Sequence, residues 1–351
     1  MIFNGSDEIL RRLQETAAAM PVDQVMKAAD SWQAPVGETT IAEPVTVSGP
    51  STYHKGRQRS LTFKPATTGG WRFDRTDLPE QLPIPVNVAN VFCSQRNIVL
   101  QAGLPQNCVR MTEHIIAHRL GLGIDHLVIE TDSDDPPLFD VGSMPIVEAL
   151  SKAGIKEIPN TAASYWTVPE PVSIVSDKGD AFLTFIPAES GSRRLTLDVA
   201  IDFPTAIGRQ RIQFDVTPDS FTHGAHARTN CSLAQLRLFR LFGWLDASTR
   251  HFGYTRDNIL IAGKKNYVNT PALIHEGKAL EAVWHRACLD LIAALSLWPN
   301  GRLAGTIVSY RAGHTLDCRF MALLALKGLL TLSNARLEEA RTQDGRGALR
   351  S

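Results

Sequence analysis

Arg110–Asp132, RMTEHIIAHRLGLGIDHLVIETD, is the stretch that decides the fold. Glu113 and His114 open an apolar run, Ile115, Ile116, Leu120 and Leu122, at helical spacing, with Thr112 ahead of it as the candidate N-cap. HLVIETD then reads as a strand. Asp134–Pro137 is a turn, and SMPIVEALSKAGI (143–155) is a second amphipathic helix, apolar at Ile146, Val147 and Leu150 and ended by Gly154. Upstream, TIAEPVTVSG (40–49), RSLTFKPA (59–66), WRFDRTDL (71–78) and IPVNVANVF (84–92) are strand-like, bounded by Gly and Pro. The first half is therefore strands, helix, strand, helix.

The second half repeats this order. SIVSD (173–177), AFLTFIPA (181–188), LTLDVAIDF (195–203) and RQRIQFDV (209–216) are strands, and SLAQLRLFRLFGWL (232–245) is a helix. NILIAG (258–263) is a strand and ALEAVWHRACLDLIAALSLW (279–298) a long helix. GRLAGTIVSYRAGH (301–314) runs as a strand and CRFMALLALKGLL (318–330) closes with a helix. The expected fold class is α+β: two duplicated strand–helix sandwich domains, each a sheet with helices on one face. The boundaries read 1–38 for an N-terminal helical extension and linker, 39–165 and 166–333 for the two domains, and 334–351 for a charged, frayed tail. Residues 5–31 are expected to be helical, capped by Ser6 or Asp7, with Ile9, Leu10, Leu13, Ala17 and Met20 in register before Pro21. Residues 156–170 look like a domain connector.

Composition narrows the function. Among 351 residues, Lys plus Arg and Asp plus Glu are both 36, which argues against nucleic acid as the partner. No apolar run reaches the roughly 18 residues of a membrane span. The first residues lack the charge pattern of a secretory signal. Five cysteines, Cys93, Cys108, Cys231, Cys288 and Cys318, are odd in number and widely spaced, the pattern of reduced thiols in a cytoplasmic protein. Glu113 beside His114 is a compact set for metal-assisted hydrolysis: the imidazole can hold zinc and the carboxylate can take a proton from water. The alternative reading is a solvated pair on a helix turn.

The stretches WRFDRTDLP, MTEHIIAHRLGLGIDHLVIETD, PPLFDVGSMPIVEALSKAGI, AIDFP, HARTN, DNILI, the EAVWH–LDLI helix and SYRAGHTLD occur in the order of a known family. Over roughly residues 40–330 the chain resembles the zinc-dependent UDP-3-O-acyl-N-acetylglucosamine deacetylases of lipid A biosynthesis. The resemblance implies paired α+β sandwiches with the active site between them. It implies Zn2+ as cofactor, with His114, His285 and Asp290 as metal ligands, Glu113 as general base, His314 as general acid or electrostatic stabiliser, and Thr229 as the residue that polarises the amide carbonyl. His54 falls near a lesser substrate-side position. The implied partner is a UDP-linked acylated amino sugar, met by a cytoplasmic monomer in transient contact with a membrane surface.

Departures from the family gather at this site. The family spaces its second His and its Asp by four residues; here His285 and Asp290 are five apart. Five helical steps leave them roughly 140° apart in azimuth, so both face one ion only if the helix takes a π-bulge. Arg286 replaces a Lys. Ala294 stands where the family has the Asp that orients the general-acid His, which lowers the tendency of His314 to be charged. Asn230 and Ser232 replace two phenylalanines near the acyl passage, and Val141 replaces a Gly. Substitute ligands are His118, one turn after His114; Glu281, one turn before His285; and His223 and His226 near Thr229. Their bland readings are a satisfied helix histidine, a helix-start carboxylate and loop residues. Two functions follow: a zinc-dependent N-deacetylase, or a diverged paralogue that is non-catalytic or acts on another acylated sugar.

Overall fold

A computed structural model describes residues 1–242 and 253–333. The chain begins with strand β1 (Ile2–Phe3), helix α1 (Asp7–Ala18) and strand β2 (Gln24–Met26). The Ser6 hydroxyl caps α1 by accepting from the Ile9 amide at 3.3 Å. The helix stops before Pro21 instead of running to residue 31, and the chain returns to extended structure.

The first sheet contains β3 (Val45–Pro50), β4 (Gln58–Pro65), β5 (Trp71–Arg75), β6 (Ile84–Pro85) and β7 (Leu127–Thr131) in the order β3-β4-β7-β5-β6. Helices α2 (Glu113–Gly121) and α3 (Met144–Ala153) flank its last strand in sequence. Alternation sets the faces. Leu61, Phe63, Trp71, Phe73, Leu127 and Ile129 point inward and are buried. The outer face is wet, with Thr46–Thr62 and Ser48–Ser60 hydroxyl pairs and a Lys64–Glu130 ion pair across strands.

The second sheet is built from β8 (Val172–Val175), β9 (Phe182–Pro187), β10 (Leu195–Phe203), β11 (Gly208–Asp215) and, after further elements, β14. Those elements are α4 (Pro218–Ala225), β12 (Thr229–Ser232), α5 (Leu233–Phe242), β13 (Ile259–Ala262), α6 (Glu281–His285), a π turn (Arg286–Leu291) and α7 (Ile292–Leu295). Strand β14 (Gly305–Tyr310) and helix α8 (His314–Leu326) follow. The sheet order is β1-β8-β9-β14-β10-β11-β2.

The two sheets are duplicates in topology as well as in composition. Numbering each half's five strands in chain order, both sheets read 1-2-5-3-4. Both share one pairing pattern along that order: antiparallel, antiparallel, parallel, antiparallel. By this correspondence α2 matches the helix from Glu281 to Leu295, and α3 matches α8. The two matched helices pack on each other between the sheets, in one continuous core that includes Ile115, Ile116, Leu289 and Ile292.

Two expectations need correction. The connector at 156–170 contains a strand, Tyr165–Thr167, paired with Arg302–Leu303 and Thr331–Leu332. The second sheet carries a helix on its outer face too, because α1 covers Val175, Phe182, Ala200 and Tyr310 with Leu10, Leu13 and Ala17. Leu13 is buried there, so Leu13→Ala should cost about 2–5 kcal/mol, read as a lower denaturant midpoint at unchanged slope. The end of the helix expected at 232–245 and the tail at 334–351 lie outside the described residues. Among the described residues no helix is long and apolar enough to cross a membrane, and the five cysteines are free thiols.

Candidate active site

The duplication brings the starts of matched helices together. Met111 takes a left-handed φ of 46°, a sharp turn that sets Glu113 and His114 at the head of α2. Thr112 does not cap the helix with its side chain; its hydroxyl donates to the Ile98 carbonyl at 2.9 Å. Glu113 Oε2 accepts from the Ile98 amide at 2.8 Å, leaving Oε1 facing His314 Nε2 at 3.9 Å. From the second half, His285 ends α6 with its ring centroid 5.3 Å from that of His114. Thr229, at the start of β12, places its hydroxyl 3.1 Å from His114 Nε2 and 3.3 Å from His285 Nε2. These five side chains line one cavity of about 260 Å³.

The bend that the His285–Asp290 spacing requires is present: the helix opens into a π turn at Arg286–Leu291. It rotates Asp290 back toward the site, with Oδ1 3.4 Å from His285 Nδ1 and 3.6 Å from His314 Nε2. Arg286, the first residue of that turn, donates to the Ala312 carbonyl at 2.9 Å and to Asp317 Oδ1 at 2.6 Å, tying the turn to α8.

His114 and His285 present their Nε2 atoms to one point and suit zinc. Asp290 stands at the other nitrogen of His285, and among the described residues no three His, Cys, Asp or Glu side chains are placed to hold one ion. The two imidazoles therefore fit; Asp290, as oriented, does not complete a two-His, one-Asp set.

Burial governs the electrostatics. Desolvation pushes the Glu113 carboxyl up to about 8 and the His114 imidazole down to about 3, each toward its neutral form. His285 is held above its usual range despite burial, by the Asp290 carboxylate beside it. The His285 and His314 imidazoles in turn hold Asp290 well below the usual carboxylate range, against its burial. His314 is lowered chiefly by burial, and among the described residues its Nδ1 has no hydrogen-bond partner, as the alanine at 294 predicts.

The substitute ligands are placed elsewhere. His118 is buried with Nδ1 against the Ile115 carbonyl at 3.0 Å and its ring edge-on to Phe221. Glu281 is bound by Arg228, Nε to Oε1 at 2.7 Å. His223 packs on Trp284 and His226 is exposed. His54 stays in the Ser51–Arg57 turn, outside the cavity lining. Of the two polar replacements, Asn230 lines the cavity, whereas Ser232 caps α5 in a reciprocal box with Gln235. Sequence reasoning missed Arg96, Asn97 and Tyr254, which also line the cavity. Arg96 and Asn97 sit in a polar turn between short strands and Tyr254 in a loop, so none carries a periodic or motif signal.

A duplicated α+β sandwich with an acid, three imidazoles and a hydroxyl at the seam defines a hydrolase-type chain. Residues 38–325 match the family model described as LpxC, UDP-3-O-acyl N-acetylglycosamine deacetylase, and the chain belongs to that family. It is 32% identical over 305 residues to the UDP-3-O-acyl-N-acetylglucosamine deacetylase of Trichormus variabilis, covering 84% of this chain and 99% of that one. The proteins of the same name from Citrifermentans bemidjiense and Thermosynechococcus vestitus are 29% and 32% identical, covering 82% and 78% of this chain and 88% of each relative.

Proposed function

We propose that the protein hydrolyses the N-acetyl group of UDP-3-O-acyl-N-acetylglucosamine, with a zinc ion held by His114 and His285, in lipid A biosynthesis. The carrying observation is the Thr229 hydroxyl set between the two Nε2 atoms, with Glu113 on the same cavity. Zinc supplies Lewis acidity, acidifying water and drawing charge from a carbonyl oxygen. The chain's own groups do the rest. Glu113, fixed through Oε2 and drawn to its carboxylate form by the charge of a cation held at the two imidazoles, takes the proton of the attacking water on Oε1 and returns it toward the leaving amine. The Thr229 hydroxyl donates to the oxyanion as it forms. His314 acts through Nε2 as a neutral donor, because burial and the bare Nδ1 disfavour its cation. Asp290 orients His285 from behind, at Nδ1, the role that a partner carboxylate plays for an imidazole at a metal, and stands on the Nε2 side of His314. On this reading the protein is cytoplasmic and monomeric, and touches the membrane surface only to meet its lipid-tailed substrate.

The placement of Asp290 and the alanine at 294 favour a second reading, a paralogue that binds the nucleotide sugar or another acylated sugar without hydrolysing it. One experiment separates them. Purified protein, loaded with one equivalent of zinc, is expected to retain the metal through desalting and to release acetate from the nucleotide sugar. Protein that stays zinc-free and binds the sugar without releasing acetate supports the second reading and ends the first. A His114→Ala variant should lose the retained zinc.

A further inference from the structure

We infer that the N-terminal segment is a strap that holds the helix bearing His285, and that Gln24 is the positioning residue in it. The segment precedes residue 38, where the family match begins. It closes both edges of the second sheet: β1 pairs parallel with β8 and β2 pairs parallel with β11, while α1 crosses the outer face.

An edge cover alone needs no contact with the inner layer, yet β2 makes one. Its alternation turns Gln24 and Met26 inward and Val25 outward. Gln24 Oε1 accepts from the Trp284 indole Nε1 at 2.8 Å. The neighbouring Asp23 fixes the strand's position, taking Lys278 Nζ at 2.7 Å and the Arg211 amide at 2.9 Å.

Trp284 is fully buried, stands against Phe214 and His223, and immediately precedes His285. Adjacent positions on a helix differ by about 100°. Fixing the indole therefore fixes the azimuth of α6, and with it the direction of His285 Nε2. The restraint matters here because α6 spans only Glu281–His285 before the π turn begins. The π turn breaks the regular hydrogen-bond register just after His285, so an anchor on the residue before it bears on where that ring points.

The test compares Gln24→Ala, Gln24→Glu and Leu13→Ala in the full chain. Its activity arm rests on the hydrolase reading; its amide-exchange arm does not. Gln24→Ala should speed exchange across residues 281–291 and lower kcat roughly ten- to hundredfold with little change in KM. Gln24→Glu, which keeps an acceptor oxygen, should restore both. Leu13→Ala should lower Tm while leaving kcat close to wild type. Unchanged exchange over 281–291 in Gln24→Ala would overturn the inference, as would a loss of kcat in Leu13→Ala equal to that in Gln24→Ala. Wild type that releases no acetate would end the hydrolase reading alone, and the exchange comparison would still decide the strap.

Discussion

Glu113→Gln should abolish most acetate release, lowering kcat by about 10²–10⁴-fold, while leaving the fold intact and the ion-free protein more stable than wild type. The two effects have one cause. The carboxyl is buried against the core, and its backbone hydrogen bonds, the Ile98 amide among them, do not offset that burial. Its value rises to about 8 from an ordinary 4.5, so ionising it in the folded state is costly. The sign follows from linkage. The unfolded chain releases this proton near 4.5 and the folded chain holds it to about 8, so stability falls as pH rises through that window. Glutamine keeps the shape and never ionises. With chelator present, the stability advantage of Glu113→Gln should therefore be absent at pH 4 and grow toward pH 8. Denaturant midpoints of the two proteins across that range, beside acetate release, check both halves. A variant that keeps more than about a tenth of wild-type kcat would remove Glu113 from the proton-transfer role.

Much of the architecture was legible because the duplicated halves each carry their own periodic signals. Alternation in RSLTFKPA and LTLDVAIDF, and helical spacing in the runs after Glu113 and Glu281, specify strands and helices independently of context. The π turn was legible for a different reason. The five-residue spacing lets His285 and Asp290 share a face only through a π-bulge, and the helix does open at Arg286–Leu291. The direction in which Asp290 then faces was not legible. It is set against His285 and His314, and His314 comes from α8, a tertiary neighbour that no local pattern announces. Gln24–Met26 was read as helix because three residues after a proline are too few for a period-two signal to outweigh the helical run before them. Their extended form comes from the free edge of β11.

Glu281 illustrates how a candidate ligand can be a structural anchor, and its replacement should give the largest loss of stability at the site. Its carboxylate is fully buried. Oε1 receives the Arg228 backbone amide at 3.0 Å and Nε at 2.7 Å, and Oε2 receives Nη2 at 3.1 Å. The same guanidinium donates to the Asp257 and Thr270 carbonyls, so the pair joins the start of β12, the segments on either side of β13 and the first turn of α6. Removing only the acid leaves a cation in the core with neutral acceptors. Glu281→Ala should therefore cost about 3–5 kcal/mol, whereas Glu281→Leu combined with Arg228→Met should cost much less, since neither charge is then buried. The consequence reaches the chemistry. Arg228 is bonded to Thr229, and Glu281 lies one turn before His285, so the pair sets the 3.3 Å approach of the Thr229 hydroxyl to His285 Nε2. The double variant should fold yet hydrolyse poorly, separating the stability role from the positioning role in a way neither single change can. Urea midpoints and acetate release for wild type, Glu281→Leu, Arg228→Met and the double variant, with Glu281→Ala beside them, make the comparison. A Glu281→Ala loss below about 1 kcal/mol, the value of an exposed pair, would mean that the guanidinium escapes to solvent and that this ion pair anchors nothing.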